Sequence, residues 1–209
     1  MHQANPSETP GFARSFDHSQ ELFEAALAEF TDKGYEQASI NVILNAASMS
    51  KGQFYYHFTN KEGLYLALIG VLIEQKKAFL TSVMQPEDFQ QDIFGIFKTQ
   101  MRYGLAFARQ YPAINRFSES FLREKGNAIY KKALAAYNFE DNTVIDQLIE
   151  RGYQNGDFRD DLPLPFIKKV IGYLFTHAAD ITDLNAADAF EEELNYLIDF
   201  IKSGLANGK

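Results

Sequence analysis

Apolar residues recur at intervals of three and four along almost the whole chain, which is the spacing of amphipathic helices. The first two such faces lie between residues 22 and 47. The first consists of Leu22, Phe23, Ala26, Leu27 and Phe30, and the second of Ile40, Ile43, Leu44 and Ala47. No segment shows the period of two that is typical of a half-buried strand. The pattern therefore predicts an all-α protein.

Two pairs of polar residues mark the starts of further helices. Ser50 with Gln53, and Thr59 with Glu62, each have the spacing of a capping box. Because the two boxes lie so close together, the helix between them has only about two turns. Ser39 is a good N-cap for the helix before it. Two short helices joined by a tight connection are typical of a helix-turn-helix, whose last helix enters the major groove of DNA.

Longer helical stripes follow, without an internal repeat or a low-complexity segment. A helix at about 61–82 is expected to connect the N-terminal helices to the rest of the chain, and a single helix is predicted at 129–152. We therefore expect a flexible tail at 1–14, a helix-turn-helix domain at 15–62 and a second helical domain at 63–209.

The residues of the third helix resemble the signature of the TetR family. Residues 50–58 read SKGQFYYHF and residues 59–64 read TNKEGL, and upstream stand EAAL at 24–27, Phe30 and Gly34-Tyr35. The resemblance implies a three-helix DNA-binding domain followed by a helical ligand-binding and dimerisation domain, in a homodimeric, ligand-responsive repressor. Ser48 departs from the pattern, because the family usually has glycine at that turn position.

Candidate DNA contacts lie on the second helix, on the third helix and at the start of the fourth. They are Ser39, Asn41, Ser50, Lys51, Gly52, Gln53, Tyr55, Tyr56, His57 and Lys61. Lys51 can donate to guanine acceptors, and Gln53 can hydrogen-bond adenine or a phosphate. Gly52 lets the backbone approach the DNA closely. The tyrosines offer rings to thymine methyl groups and hydroxyls to phosphates. By resemblance, His57 and Lys61 stand at positions that clamp the DNA backbone.

The overall charge is unfavourable for a DNA-binding protein. The 209 residues carry a formal net charge of -8, whereas a basic footprint is typical of nucleic-acid binders. DNA contact must therefore depend on a small local patch.

The chain has no cysteine, which excludes a disulfide framework or a Cys-based zinc site and fits a reducing compartment. Without a signal-peptide pattern or an apolar run of about 18 residues, we expect a cytoplasmic protein that needs no cofactor or metal.

Two apolar stripes near the C-terminus are candidates for a homodimer surface, because two helices from each subunit can form a twofold four-helix interface. The candidate residues are Phe166, Val170, Leu174, Phe190, Leu194, Leu197, Ile198 and Ile201. The alternative is that both stripes belong to the core of one subunit.

The middle helices are rich in aromatic residues, as expected of a pocket for a small apolar or aromatic ligand. The candidate pocket residues are Phe97, Gln100, Tyr103, Phe107, Phe117, Phe121, Tyr137, Tyr173 and His177. Ordinary core packing is the alternative interpretation of these aromatics, and a hydrogen-bonded core or interface histidine is the alternative for His177.

The sequence thus favours a dimeric, sequence-specific transcriptional regulator, and by resemblance a repressor that a small ligand releases from a palindromic operator. Activation stays open as the direction of control. An enzyme is not expected, because the four histidines are scattered and the HExxH, P-loop and GxSxG motifs are absent. A helical adaptor that binds only proteins is the remaining alternative. Salt-sensitive binding to duplex DNA would distinguish the regulator from the adaptor.

Overall fold

The computed structural model of the protein describes residues 12, 16–137, 143–177 and 187–208, and within them it is helical. The helices are α1 (Ser19–Gln37), α2 (Ile40–Ala46), α3 (Lys51–His57), α4 (Lys61–Val83), α5 (Ile93–Gln110), α6 (Pro112–Arg123), α7 (Ala128–Tyr137), α8 (Thr143–Asn155), α9 (Leu164–Thr176) and α10 (Ala187–Leu205), with a 3-10 helix at Pro86–Phe89. In this part of the chain the β pairing amounts to one isolated bridge between Phe158 and Ala206. The all-α prediction is confirmed.

The chain divides into two compact units. Residues 1–79 and 108–140 form the first, and residues 80–107 and 141–209 form the second. Helices α6 and α7 therefore belong to the same unit as the N-terminal helices. The predicted domain boundary after residue 62 lies at the start of α4 and stays a prediction.

The core of the first unit joins α1, α2 and α3. Leu22, Phe30, Ile43 and Phe54 are almost completely buried, each stabilising the fold by about 1.5–3 kcal/mol relative to an exposed position. Helix α6 packs along α1, where the Ser120 hydroxyl donates to the carbonyl of Phe30 at 3.2 Å. Helix α1, against which α2 packs, is therefore supported by a helix that comes much later in the sequence.

A buried carboxylate closes the C-terminal end of α1. Gly34 interrupts that helix with a φ of 70° and a ψ of 174°, a conformation that favours glycine. The next residue, Tyr35, donates its backbone N–H to Oε1 of Glu124 at 2.7 Å. Asn127 donates to the second carboxylate oxygen at 2.6 Å. The connection between α1 and α2 is thus fixed by a residue just beyond α6.

The helix starts were predicted with mixed success. The side chain of Ser39 caps α2, and Ser50 and Gln53 form both bonds of a capping box on α3, as expected. The predicted box of Thr59 with Glu62 is wrong by one residue, because Oδ1 of Asn60 accepts the N–H of Gly63 at 2.8 Å. The helix predicted at 129–152 is described as α7 and α8, and residues 138–142 between them lie outside the described residues.

The second unit has its own apolar core, built from α5, α8, α9 and α10. Its buried members are Ile93, Phe94, Phe97, Ile149, Phe158, Ile167, Ile171, Leu197, Ile198, Ile201 and Leu205. Oδ2 of Asp157 accepts the N–H of Ile93 at 3.0 Å, which satisfies a free donor at the start of α5. The backbone bond from Arg159 to Leu205 at 2.9 Å ties the end of α10 to the loop before α9.

Candidate nucleic-acid interface

A tight turn joins α2 to α3. The backbone N–H of Met49 donates to the carbonyl of Leu44 at 2.9 Å, and Met49 is buried beneath the turn. Ser48 adopts a left-handed conformation with a φ of 52°, which is the reason that glycine suits this position. Ser48 therefore adopts a backbone conformation that is less favourable for serine than for glycine.

Helix α3 presents one buried and one exposed face, as the sequence predicts. Phe54 and Phe58 are 0% and 2% exposed and pack into the first unit. On the outer side, Lys51 is exposed, and Tyr55 and Tyr56 are 59% and 84% exposed. Exposing large aromatic rings to water costs free energy, and such rings are typical of a surface that binds a partner.

The capping box decides which atoms of Gln53 are available. The side-chain Oε1 of Gln53 accepts the backbone N–H of Ser50 at 3.0 Å, and the backbone N–H of Gln53 donates to the Ser50 hydroxyl at 3.2 Å. The side-chain amide nitrogen is left as the group that can donate to a base or phosphate acceptor. Gly52 lies beside them on open surface, since a Cβ there would meet nothing closer than the Ser50 hydroxyl at 4.0 Å.

Lys61 is partly occupied within the protein. Its ammonium donates to the carbonyls of Glu36 at 3.0 Å and Ala38 at 3.3 Å, and it lies 4.8 Å from the centre of the Tyr35 ring. An ammonium has three donors, so one N–H is left for a phosphate. Burial, with Glu62 and Glu36 adding to it, raises the pKa of the Tyr35 phenol.

Helix α2 adds two predicted residues and one that the sequence analysis missed. Ser39 is half-buried and donates its N–H to Oε1 of Glu29 at 2.9 Å, whereas Asn41 is exposed. Val42 is 50% exposed, although it lies on a helix whose apolar stripe is buried. The sequence already indicates this exposure, because Val42 lies outside the apolar stripe of α2 and so cannot reach the core.

The local charge balance remains acidic. From residue 16 to residue 62 the cationic side chains, apart from histidine, are Lys33, Lys51 and Lys61, against the carboxylates of Asp17, Glu21, Glu24, Glu29, Asp32, Glu36 and Glu62. Lys33 pairs with Asp32 at 2.8 Å, and its hydrogen bond lowers the pKa of that carboxyl. Lys51 is thus the cation on the exposed face of α3, and contacts of other kinds must supply much of any DNA affinity.

The candidate ligand-pocket residues have different surroundings. Phe97, Gln100, Tyr103, Phe107, Tyr173 and His177 belong to the second unit, and Phe117, Phe121 and Tyr137 to the first. Phe97 lies in the core. Tyr173 is 62% exposed, and its ring stacks on that of His177 with the ring centres 4.0 Å apart. A cavity of about 270 Å³ in the second unit is lined by other residues, namely Gln91, Gly95, Lys98, Thr99, Met101, Arg102, Leu105 and Asn195. The predicted pocket stays a prediction.

The candidate dimer residues divide by burial. Leu194, Leu197, Ile198 and Ile201 are at most 7% exposed and pack inside their own unit. Val170 and Leu174 are half-buried, and the side chain of Phe190 lies outside the described residues. Among the described side chains of α9 and α10, the outward-facing aromatics are Phe166, Tyr173, Tyr196 and Phe200, which are 48–68% exposed. Tyr196 and Phe200 were not singled out from the sequence.

The described residues also bear on two other features, a metal site and a membrane-spanning helix. They contain no group of three or more His, Cys, Asp or Glu side chains arranged to hold a metal ion. No helix among them has the length and apolar character needed to cross a membrane.

The sequence matches known regulators most strongly at its N-terminal end. Residues 22–68 match the family model for bacterial regulatory proteins, tetR family. The chain is 46% identical over 50 residues to the transcriptional regulator AcuR of Cereibacter sphaeroides, covering 24% of this chain and 23% of that protein. It is 33% identical over 82 residues to the probable acrEF/envCD operon repressor of Escherichia coli, covering 38% and 37%. These matches thus span well under two thirds of either relative.

Similarity over most of the chain is weaker. The HTH-type transcriptional repressor AcnR of Corynebacterium glutamicum is 22% identical over 187 residues, which cover 88% of this chain and 89% of that one. The crystal structure of a TetR family transcriptional regulator from Chloroflexus aurantiacus superposes with a TM-score of 0.70 at 23% identity, covering 94% and 96% of the two chains. At this identity the structural match establishes the fold alone.

Proposed function

Because the chain belongs to the TetR family of bacterial regulatory proteins, we propose that it is a dimeric, sequence-specific DNA-binding repressor. The observation that carries the proposal is α3 itself, a capped two-turn helix whose aromatic residues divide between the core and the surface. Phe54 and Phe58 hold it in place, while Lys51, Tyr55 and Tyr56 point outward. The proposal assigns the protein no catalytic reaction.

The exposed face supplies two kinds of contact. Lys51 and the amide nitrogen of Gln53 donate to base acceptors in the major groove, and the rings of Tyr55 and Tyr56 contact thymine methyl groups or sugars. Ser39, Asn41, Ser50, Gly52, His57 and the third N–H of Lys61 contact phosphates. Phosphate contacts fix the register of the protein on the duplex, and base contacts carry the sequence information.

Dimerisation follows from the outward face of α9 and α10. Phe166 and Tyr173 lie seven residues apart on α9, Tyr196 and Phe200 lie four apart on α10, and all four are 48–68% exposed; a surface with such exposed apolar side chains favours contact with a partner. A second copy of the chain is the proposed occupant, since a twofold axis pairs identical patches. The buried residues of the same helices, such as Ile198 and Ile201, support this face from inside the subunit. A dimer places two α3 helices on the half-sites of a palindromic operator.

A small apolar or aromatic ligand is proposed to release the repressor. Helix α4 runs without interruption from Lys61 to Val83, so a change in its orientation is transmitted along its length. A ligand lowers DNA affinity only by its differential affinity for the two states. A hundredfold release therefore needs a difference of about 2.8 kcal/mol.

The test compares the sequence preference of variants with that of the parent protein. Lys51→Ala and Gln53→Ala should weaken binding to the preferred duplex and relax the preference at defined base pairs, each by about 1–3 kcal/mol. Lys33→Ala is the matched control, since that lysine already pairs with Asp32. Unchanged preferences in both α3 variants would show that this helix does not read bases, and a parent protein that binds no duplex even at low salt would refute the proposal.

A further inference from the structure

We propose that Phe16, which precedes α1, is a positioning residue for His57 at the end of α3. The two rings stack with their centres 3.9 Å apart and their planes 17° from parallel. This inference rests on the proposed function, because it concerns how a DNA-contacting side chain is held. It extends the DNA-binding apparatus to a segment that lies before the first helix.

The His57 ring is held from two directions. Phe16 covers one face, and the ring of the neighbouring Tyr56 approaches with its centre 5.0 Å away and its plane nearly perpendicular, at 86°. Face stacking leaves the edge of the imidazole uncovered, and both ring nitrogens lie on that edge. Any rotation of His57 that tilts its ring out of this plane would break the stack. The stack therefore fixes the plane that contains both ring nitrogens, and so limits the directions in which an imidazole N–H can donate to a phosphate.

Phe16 is itself fixed by a turn. Its carbonyl accepts the N–H of Ser19 at 3.0 Å, and His18 within the turn has a φ of 66°. The carbonyl of His18 accepts the N–H of Leu22 at 2.9 Å, which joins the turn to the first bonds of α1. The Phe16 ring thus has a defined place relative to α1.

Further aromatic contacts fix the ring against α3. The Phe16 ring lies 6.1 Å from that of Phe58 in an edge-on arrangement. Phe12 lies behind it, 5.2 Å from Phe58 and 5.6 Å from Phe23 between ring centres. Since Phe58 is buried, this aromatic cluster anchors the segment before α1 to the end of the recognition helix.

The consequence for binding is pre-organisation. A half-exposed histidine that must choose one rotamer when DNA arrives loses side-chain entropy, whereas one already held by a stack does not. Phe16 needs no contact with DNA for this effect. A purely structural role would instead make Phe16 equally important whether or not His57 is present.

A double-mutant cycle separates these two roles. Affinity for the preferred duplex is measured by fluorescence anisotropy for the parent, Phe16→Leu, His57→Ala and the double variant, each corrected for its active fraction by stoichiometric titration. Phe16→Leu should weaken binding by about fivefold in the parent but by less than about twofold in the His57→Ala background. Phe23→Leu is the matched control, because it removes a ring that touches Phe12 but not His57, and it should leave affinity unchanged.

Each outcome decides the question. An equal loss on Phe16→Leu in both backgrounds, or no loss on His57→Ala, overturns the inference while DNA binding by the parent still supports the proposed function. A parent protein that binds no duplex refutes the proposed function instead. If Phe16→Leu does not fold, Phe16→Met is used in the same cycle. In the folded proteins that retain His57, its ring protons, followed by NMR, should lose the ring-current shift caused by Phe16 only when the Phe16 ring is absent.

Discussion

Salt dependence is the property in which this protein should differ most from a typical DNA binder. The perturbation is the salt concentration, raised from 50 to 200 mM. On the proposed DNA-binding surface of one subunit, within the described residues, Lys51 and the remaining N–H of Lys61 are the lysine donors available to phosphates, because Lys33 pairs with Asp32. The proposed dimer should thus neutralise about four phosphates, and the slope of log affinity against log salt should be about −3.6.

That slope corresponds to a loss of about 150-fold over the fourfold rise in salt, whereas a protein with 6–10 phosphate contacts loses about 10³–10⁵-fold. Fluorescence anisotropy with a labelled duplex, repeated at five or six salt concentrations, measures it. Lys51→Ala should reduce the slope by about 2 per dimer, and Lys33→Ala should leave it unchanged. A slope steeper than about −8 would show that unidentified cations dominate binding, and a slope of zero would show that neither lysine neutralises a phosphate.

Further predictions concern the frame that holds the interface, and each is measured as the free energy of unfolding in urea. Ser48→Gly should stabilise the protein by up to about 1 kcal/mol, because glycine adopts the left-handed conformation without the steric cost that a Cβ brings; a destabilised variant would contradict this. Glu124→Ala should cost about 1–3 kcal/mol, because it leaves the backbone N–H of Tyr35 without its acceptor, and Glu124→Gln should recover most of the loss. Gly70→Ala should cost about 1–3 kcal/mol, because the new Cβ would lie 2.7 Å from the Tyr137 hydroxyl; an unchanged stability would show that this ring moves freely.

The parts of the interface that could be predicted are local in sequence. The capping box of Ser50 with Gln53 and the inward direction of Phe54 and Phe58 depend on residues three or four apart. Helical geometry alone fixes such relations. The same reasoning placed a box at Thr59 and missed the cap on Asn60, since adjacent polar residues both suit a helix start.

The parts that could not be predicted depend on residues far apart in the chain. The bond from Tyr35 to Glu124 spans 89 residues, and that from Lys61 to the Glu36 carbonyl spans 25. No local pattern signals either one. Lys61 therefore looks in the sequence like a free phosphate clamp, although in the structure it also caps the end of α1.

Helices α9 and α10 illustrate a different limit. Both carry apolar residues on more than one side, so periodicity alone does not decide which side faces the core. Ile198 and Ile201 are buried, whereas Tyr196 and Phe200 are 61% and 68% exposed. Packing within the second unit makes that choice, which is why Tyr196 and Phe200 emerged only from the structure as part of the proposed dimer surface.

Selection of bound sequences from a random duplex pool tests the central claim most directly. If α3 reads bases in a twofold dimer, the enriched sequences should form an inverted repeat whose half-sites are centred about one helical turn, or a multiple of it, apart. Lys51→Ala should alter the enriched half-site. A pool from which the protein enriches nothing, or only sequences without twofold symmetry, would contradict the account.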